Sequence, residues 1–236
     1  MKIALIGYGK MGKEIEKEAL KKNHEIILKS TKETSLLENL SLIKQADIAI
    51  EFTNPNHAFD NICFCLKNNI PILSGTTGWI EKHRKEITNI CQRENGLFFY
   101  SPNFSIGVHI FFEINRRLTK LIENYLLQYE IEIEETHHIE KKDKPSGTAL
   151  LLSNIIKEAF MQEDSKKNIT IESKRTEKEI GTHKVRYYSN KETIEVTHQA
   201  YNRSIYAEGT LKAAQWLLKQ QRGKLFFMED LLKFNC

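Results

Sequence analysis

The 236-residue chain has no Cys-x-x-Cys pair, no Gly-x-Ser-x-Gly turn, no apolar run of membrane-spanning length and no low-complexity linker. Each absence closes a class of function. The four cysteines, Cys63, Cys65, Cys91 and Cys236, lack metal-site or disulfide-framework spacing. Cys63 and Cys65 also fall inside an apolar helical pattern, so buried free thiols are expected and no metal. Without the Gly-x-Ser-x-Gly turn, Ser146 is not read as a nucleophile, although histidines stand near it in the sequence. The missing apolar span argues against a membrane protein, and "MKIALIGYG" enters a strand without a signal-peptide layout, so the expected compartment is a reducing cytoplasm. Net charge is scarce too. The 35 Lys and Arg against 31 Asp and Glu leave +4, with lysines scattered along the chain, which argues against a nucleic-acid partner.

What is present is ordinary in bulk, 40% hydrophobic and 28% charged, and long enough to bury a core in one large domain or two modest ones. The first hundred residues alternate apolar runs with helical patterns. "KIALIG", "HEIILK", "DIAIEFT", "IPILSG" and "LFFYSP" read as strands with helices between them. Repeated β-α units with short connections mean a Rossmann-like, doubly wound parallel sheet. Near residue 105 the period changes. A long amphipathic helix, "IGVHIFFEINRRLTKLIENY", is followed by segments alternating apolar and charged residues, such as "YEIEIEETHH", "NITIESKRT", "HKVRYYS" and "ETIEVTHQA". These predict an α+β region with a mostly antiparallel sheet, one face buried. Along the first of these strands, Glu130, Glu132, Glu134 and Glu135 are expected on a solvated or inter-subunit face. Phe226 and Phe227 are expected in the core, and "LFFMEDLLK" forms a short terminal element.

Two stretches carry chemistry. "IGYGKMG" spaces Gly7, Gly9 and Gly12 as G-x-G-x-x-G, with Lys10 and Met11 inside the turn, directly after a strand and opening a helix. Gly7 permits the tight turn, Gly9 lets a pyrophosphate approach the backbone, and Gly12 allows close helix–strand packing. A dinucleotide is therefore expected. The second strand ends "LKSTK", where Lys29, Ser30, Thr31 and Lys32 offer cations and hydroxyls and no acid before Glu33, so NADPH is favoured over NADH.

The second stretch is "ETHHIEKKDKPSGTALLL". Pro145 disfavours helix just before it and Ser146 is a good N-cap, so a helix starts there with Leu150, Leu151, Ile155 and Ile156 on its apolar face. The N–H groups of Gly147 and Thr148 then face outward at a helix N-terminus, suited to a carboxylate. His137, His138 and Lys141 end or follow the preceding strand and are candidates to converge there. An anion site with one proton donor uses all these parts. Adjacent histidines at a strand end are also common as plain surface residues.

The His-His-x-x-Lys-x-Asp-x-Pro-Ser-Gly-Thr-Ala segment resembles the signature of the 4-hydroxy-tetrahydrodipicolinate (dihydrodipicolinate) reductase family. "IGYGKMG", "EFTNP", "SGTTGW", "SPNFSIGV", "AEGTLKAAQWL" and "FFMEDLL" follow the family's order over essentially the whole chain. The resemblance implies a dinucleotide-binding domain of residues 1–104 plus 206–236, and an inserted substrate-binding and oligomerisation domain of residues 105–205. It implies reduction of a dehydrated cyclic imine to tetrahydrodipicolinate by NADPH or NADH, in lysine and diaminopimelate biosynthesis, by a homotetramer. By motif position His137 and Lys141 take the proton-donor roles. His138, Lys141, Ser146, Gly147 and Thr148 hold the substrate's carboxylates. Gly75, Thr77, Gly78, Ser101, Asn103 and Phe104 surround the nicotinamide. Arg203 matches a family arginine and is either a domain-junction salt bridge or a ligand; His109 is read as a structural helix residue. Two other readings share the fold: a related NADPH-dependent reductase of another small carboxylate, and a non-catalytic nucleotide-binding protein.

Overall fold

The computed structural model describes residues 1–31, 34–125, 129–160 and 169–233; Lys32, Glu33 and Cys236, named above, lie outside them. Two compact units make up the chain, Met1–Ser105 with Ser204–Cys236, and Ile106–Arg203.

The first unit begins with alternating strands and helices: β1 (Lys2–Ile6), α1 (Lys10–Lys21), β2 (Glu25–Ser30), α2 (Leu40–Ile43), β3 (Ile48–Glu51), α3 (Pro55–Lys67), β4 (Ile72–Ser74), α4 (Ile80–Arg93) and β5 (Leu97–Tyr100). Strands β3, β4 and β5 are buried at every position, which is why their sequences run apolar without alternation. Helix α3 starts where Asn54 caps the Asn56 N–H and Pro55 occupies the first turn. Cys63, Cys65 and Cys91 are buried free thiols, and burial raises the Cys63 and Cys91 pKa to about 11.

The second unit runs α5 (Ile106–Asn124), β6 (Glu130–His138), α6 (Gly147–Ala159), β7 (Ile169–Thr176), β8 (Gly181–Tyr188) and β9 (Thr193–Ala200). Its four-stranded sheet has the order β7-β6-β8-β9. Ile131, Ile133, Val185 and Tyr187 share a buried cluster with Val108, Phe111 and Phe112 of α5 and Leu152 and Ile156 of α6. The sheet is mixed. β6 pairs antiparallel with β8, and β8 with β9, but β6 and β7 are parallel. The reason is α6, a crossover that returns the chain to the same end of the sheet. The apolar face of α6 also differs from expectation. Leu150 and Leu151 are exposed, while the expected Ile155 and Ile156 join Ala149, Leu152, Ser153 and Ala159 in the buried stripe, a phase set by the Ser146 cap.

The chain then re-enters the first unit through α7 (Ser204–Leu217), β10 (Lys224–Phe226) and α8 (Met228–Leu232). The terminal element is thus a strand and a helix. β10 pairs parallel with β5 and completes a six-stranded sheet of order β10-β5-β4-β3-β1-β2. Phe226 and Phe227 are only partly buried, at this edge of the sheet rather than in its centre; Phe226 meets the Trp216 ring edge-on and Phe227 packs on the core's flank. Strand order reverses at β1, with β2 on one side and β3 on the other, so a crevice opens beyond their carboxyl ends.

Candidate active site

In the first unit, that crevice is a cleft of about 730 Å³ lined by Gly7, Gly9, Ser30, Phe52, Thr53 and Asn54, among others. The three glycines of the turn do different work. Gly7 has φ +97°, and a Cβ there would lie 2.2 Å from the Phe52 carbonyl oxygen. A Cβ on Gly12 would lie 2.4 Å from the Gly7 carbonyl oxygen, so the helix packs onto the turn only without one. Gly9 caps α1, and a Cβ there meets nothing within 4 Å, which leaves the helix N-terminus open. A pyrophosphate fits such an arrangement. Lys10 is exposed and Met11 half-buried on the first turn of α1.

The far wall of the cleft is held by a carboxylate the sequence reading passed over. Glu51, fully buried at the end of β3, accepts from the Thr53 N–H at 2.8 Å, the Thr53 hydroxyl at 2.5 Å, the Ser74 hydroxyl at 2.5 Å and the Thr76 hydroxyl at 2.8 Å. It ties the loop after β3 to the loop after β4, which carries Gly75, Thr77 and Gly78. Gly75 backs onto the Phe52 ring, where a Cβ would come within 2.1 Å, and Gly78 has φ +82°. After β5, the Ser101 hydroxyl donates to the Asn103 carbonyl at 2.5 Å, and Asn103 caps the Ser105 N–H at 2.8 Å. The Phe104 ring is buried beside Phe52 and Phe99. At the end of β2, Ser30 is buried. Lys29 is engaged already: its Nζ is 2.5 Å from Glu16, and it lies over the Tyr8 ring.

In the second unit the site gathers where β6 ends and α6 begins. Successive side chains of a strand alternate, so Glu135 and His137 share its inner face while His138 is half-buried on the other. Glu135 is therefore not part of the solvated acidic face, which holds Glu130, Glu132 and Glu134; it is fully buried. Its Oε2 is in ion-pair contact with His137 Nδ1, and its Oε1 accepts from Arg175 Nη1 at 2.9 Å. Burial acts to raise the Glu135 carboxyl, but hydrogen bonds and the cations beside it outweigh that and lower it. Burial depresses His137, with Glu135 opposing and Lys141 adding to the effect.

On β8, His183 points into the same space. Its ring centre is 5.0 Å from that of His137, its Nε2 is 3.2 Å from the Ser146 hydroxyl, and burial lowers it to about 3. The Ser146 oxygen also caps α6 by accepting from the Ala149 N–H at 3.2 Å. Gly147 is exposed, and a Cβ there would meet nothing within 4 Å; Thr148 is half-buried beside it. In the intervening loop, Lys141 Nζ is held 2.9 Å from Asp143. Arg203 lies with Nη2 3.4 Å from His138 Nε2. His109 is a buried helix residue edge-on to Phe112.

Chemically, this is a helix N-terminus whose Gly147 N–H is bonded to the Asp143 carboxylate, a lysine held by the same carboxylate, and a buried imidazole backed by a second carboxylate. Such a set binds a small anion and moves one proton. Glu135, His137 and His183 bring ligand-type atoms within 4.8 Å of one another. The Glu135 carboxylate is already engaged by Arg175 and His137, so the trio reads as a hydrogen-bonded proton site rather than a metal centre. Of these groups, the sequence reading missed Glu135, His183 and Arg175. The first two were within reach, since strand alternation puts Glu135 with His137, and His183 with Val185 and Tyr187.

Comparison with known proteins decides the family. Residues 1–104 match the model of the dihydrodipicolinate reductase N-terminus, and residues 107–232 match that of its C-terminus. The chain belongs to the dihydrodipicolinate reductase family. It is 41% identical to the 4-hydroxy-tetrahydrodipicolinate reductase of Christiangramia forsetii, over 98% of both chains. It is 35% identical to that of Methanosarcina acetivorans, over 98% of this chain and 88% of the relative. Among solved structures, a dipicolinate-bound dihydrodipicolinate reductase from Paenisporosarcina superposes with a TM-score of 0.76 at 22% identity, covering 98% of this chain and 99% of that one. At that identity, this last likeness shows the fold alone.

Proposed function

We propose that the second unit holds a small cyclic dicarboxylate at the N-terminus of α6 while the first unit holds the nicotinamide cofactor. The chain is an NAD(P)H-dependent oxidoreductase of the 4-hydroxy-tetrahydrodipicolinate reductase type, which places it in lysine and diaminopimelate biosynthesis. The observation that supports the assignment of residues is that one carboxylate, Asp143, is held by both Lys141 Nζ and the Gly147 N–H at the start of α6, where a substrate carboxylate could take its place, with Ser146, His183 and His137 linked beside it.

Gly7, Gly9, Lys10, Met11 and Gly12 would hold the pyrophosphate, and Gly75, Thr77, Gly78, Ser101, Asn103 and Phe104 the nicotinamide end. The cofactor, when bound, supplies hydride. The chain's own residues then do the rest. His138, Lys141, Ser146 and the N–H groups of Gly147 and Thr148 bind the two carboxylates. Lys141 must exchange Asp143 for a substrate carboxylate, a swap of like partners that costs little. Hydride addition to an electron-poor ring leaves negative charge to be neutralised, and His137 or Lys141 delivers the proton.

NADPH is the proposed preference, because β2 ends without an acid to take both ribose hydroxyls. Lys29 contributes to a 2′-phosphate only by leaving Glu16. A homotetramer is proposed, built through the second unit, with light scattering as its check. No helix among the described residues is long and apolar enough to cross a membrane. A cytoplasmic location and the absence of nucleic-acid partners remain part of the proposal.

The residue assignment is tested by calorimetric titration with dipicolinate, a planar dicarboxylate, into wild type and Gly147→Pro, which removes an N–H at the first helical position, Lys141→Ala and exposed-surface Lys82→Ala proteins. Loss of affinity in the first two alone supports it. Equal affinity in all three would sink it. Parallel rates with NADPH and NADH decide the cofactor.

A further inference from the structure

Arg175 lies outside every motif of the sequence, yet it makes more polar contacts at the second unit's site than any other described side chain there. On β7, opposite His137 in the parallel register, its Nη1 donates to Glu135 Oε1 at 2.9 Å and its Nη2 to the Asp143 carbonyl at 2.5 Å. Its Nε lies 3.4 Å from the Lys141 carbonyl. One planar guanidinium thus touches the carboxylate behind His137 and the loop that carries Lys141. Arg175 is largely buried, its side chain 14% exposed, and Glu135 wholly so. The geometry of a rigid fork suits this double duty, which a lysine cannot perform.

Glu135 in turn contacts His137 through Nδ1. With Nδ1 directed at a carboxylate, Nε2 is the nitrogen left to exchange a proton with a ligand, and the carboxylate favours the imidazolium form. Resting on the function proposed above, we infer that Glu135 and Arg175 are positioning residues: Glu135 fixes the ring orientation and protonation of His137, and Arg175 locks Glu135 and the Lys141 loop into one frame. Neither touches the substrate. Glu135 acts on the proton donor alone, whereas Arg175 acts on the proton donor and on anion binding together.

The groups facing His137 are Glu135 on β6, Lys141 in the following loop, Arg175 on β7 and His183 on β8; behind His183 stands His198 on β9. Of these only Glu135 favours the charged imidazole. Removing its charge therefore lowers the His137 pKa, and the high-pH limb of kcat/KM, where a proton donor is lost, moves to lower pH.

The test compares wild type, Glu135→Gln, Glu135→Asp, Arg175→Lys and Arg175→Ala. Three measurements are made on each: kcat/KM against pH, dipicolinate affinity, and the His137 ring nitrogen resonances followed through a pH titration. Glu135→Gln should lower kcat by about tenfold or more. It should move the His137 titration about one pH unit or more downward, and leave dipicolinate affinity within about threefold. Glu135→Asp should recover part of the rate. Arg175→Ala should lose both kcat and dipicolinate affinity, with partial rescue by added guanidinium and none by Arg175→Lys. An unmoved His137 titration in Glu135→Gln, from a protein with wild-type circular dichroism, overturns the inference. The nitrogen resonances report this whether or not the protein turns over, so a failure of the proposed reaction is read separately from wild-type activity.

Discussion

A Cβ on Gly12 would sit 2.4 Å from the Gly7 carbonyl oxygen, and valine adds two methyl groups to that clash. Gly12→Val should therefore push α1 away from the turn and abolish cofactor binding, read as loss of nicotinamide fluorescence enhancement on titration. Retained affinity would remove the turn from the cofactor site. Lys141→Ala deletes the cation that pairs with Asp143 in the loop leading into α6. It should lower kcat/KM roughly a hundredfold or more, since it removes an anion contact and a candidate acid at once. Near-normal kcat with raised KM would leave Lys141 as a binding group only. Single residues were the scale at which the sequence was most legible. The glycine spacing and the Ser146 cap each follow from a local rule, whereas the roles given to His137 and Lys141 come from the family motif. Arg175 follows from none, because its place opposite His137 depends on a parallel pairing made across α6.

Elements show where pattern reading stops. Alternation identified β6, β7, β8 and β9 but could not show that β7 runs parallel to β6, and four glutamates in a row of six residues looked like one charged face, which the period of two in fact splits. The buried one, Glu135, stands against His137. A similar carboxylate, Glu51, pins the loops after β3 and β4 through four donated hydrogen bonds and has no cation beside it among its described partners. Glu51→Gln replaces one acceptor oxygen by a donor facing other donors. It should cost about 1–3 kcal/mol in urea unfolding and loosen the cofactor end of the cleft. An unchanged midpoint would show that the loops hold without it.

The buried inner face of the second sheet also fixes a pH response. Burial lowers His183 to about 3 from an ordinary 6.5. Between those values the unfolded chain binds a proton that the folded one does not, so stability is full above about pH 6.5 and is lost as pH falls toward about 3. The loss is on the order of a few kcal/mol, and His137 and His198, also lowered by burial, act in the same direction. Denaturation midpoints of wild type and His183→Gln should converge as pH drops through this window. Parallel curves would mean that His183 is protonated in the folded protein.

At the scale of the whole molecule, the chain alternates β-α units, leaves them for a mixed sheet, and returns to close the first sheet with β10. The change of period near residue 105 announced the departure. The return was harder to read, since "KLF" is too short to show any period and becomes a strand only by pairing with β5. Each unit holds half of the proposed site: a helix N-terminus behind the glycine turn in one, and a helix N-terminus beside a carboxylate-backed imidazole in the other. Neither half accounts for the chemistry alone. The decisive measurement is the fall in nicotinamide absorbance when the purified protein meets NADPH and the cyclic product of the synthase that precedes this reductase type. Rapid oxidation that requires the synthase product, and is lost in His137→Gln and Lys141→Ala, is the result expected. A folded protein that binds NADPH and dipicolinate but oxidises no cofactor would contradict the account.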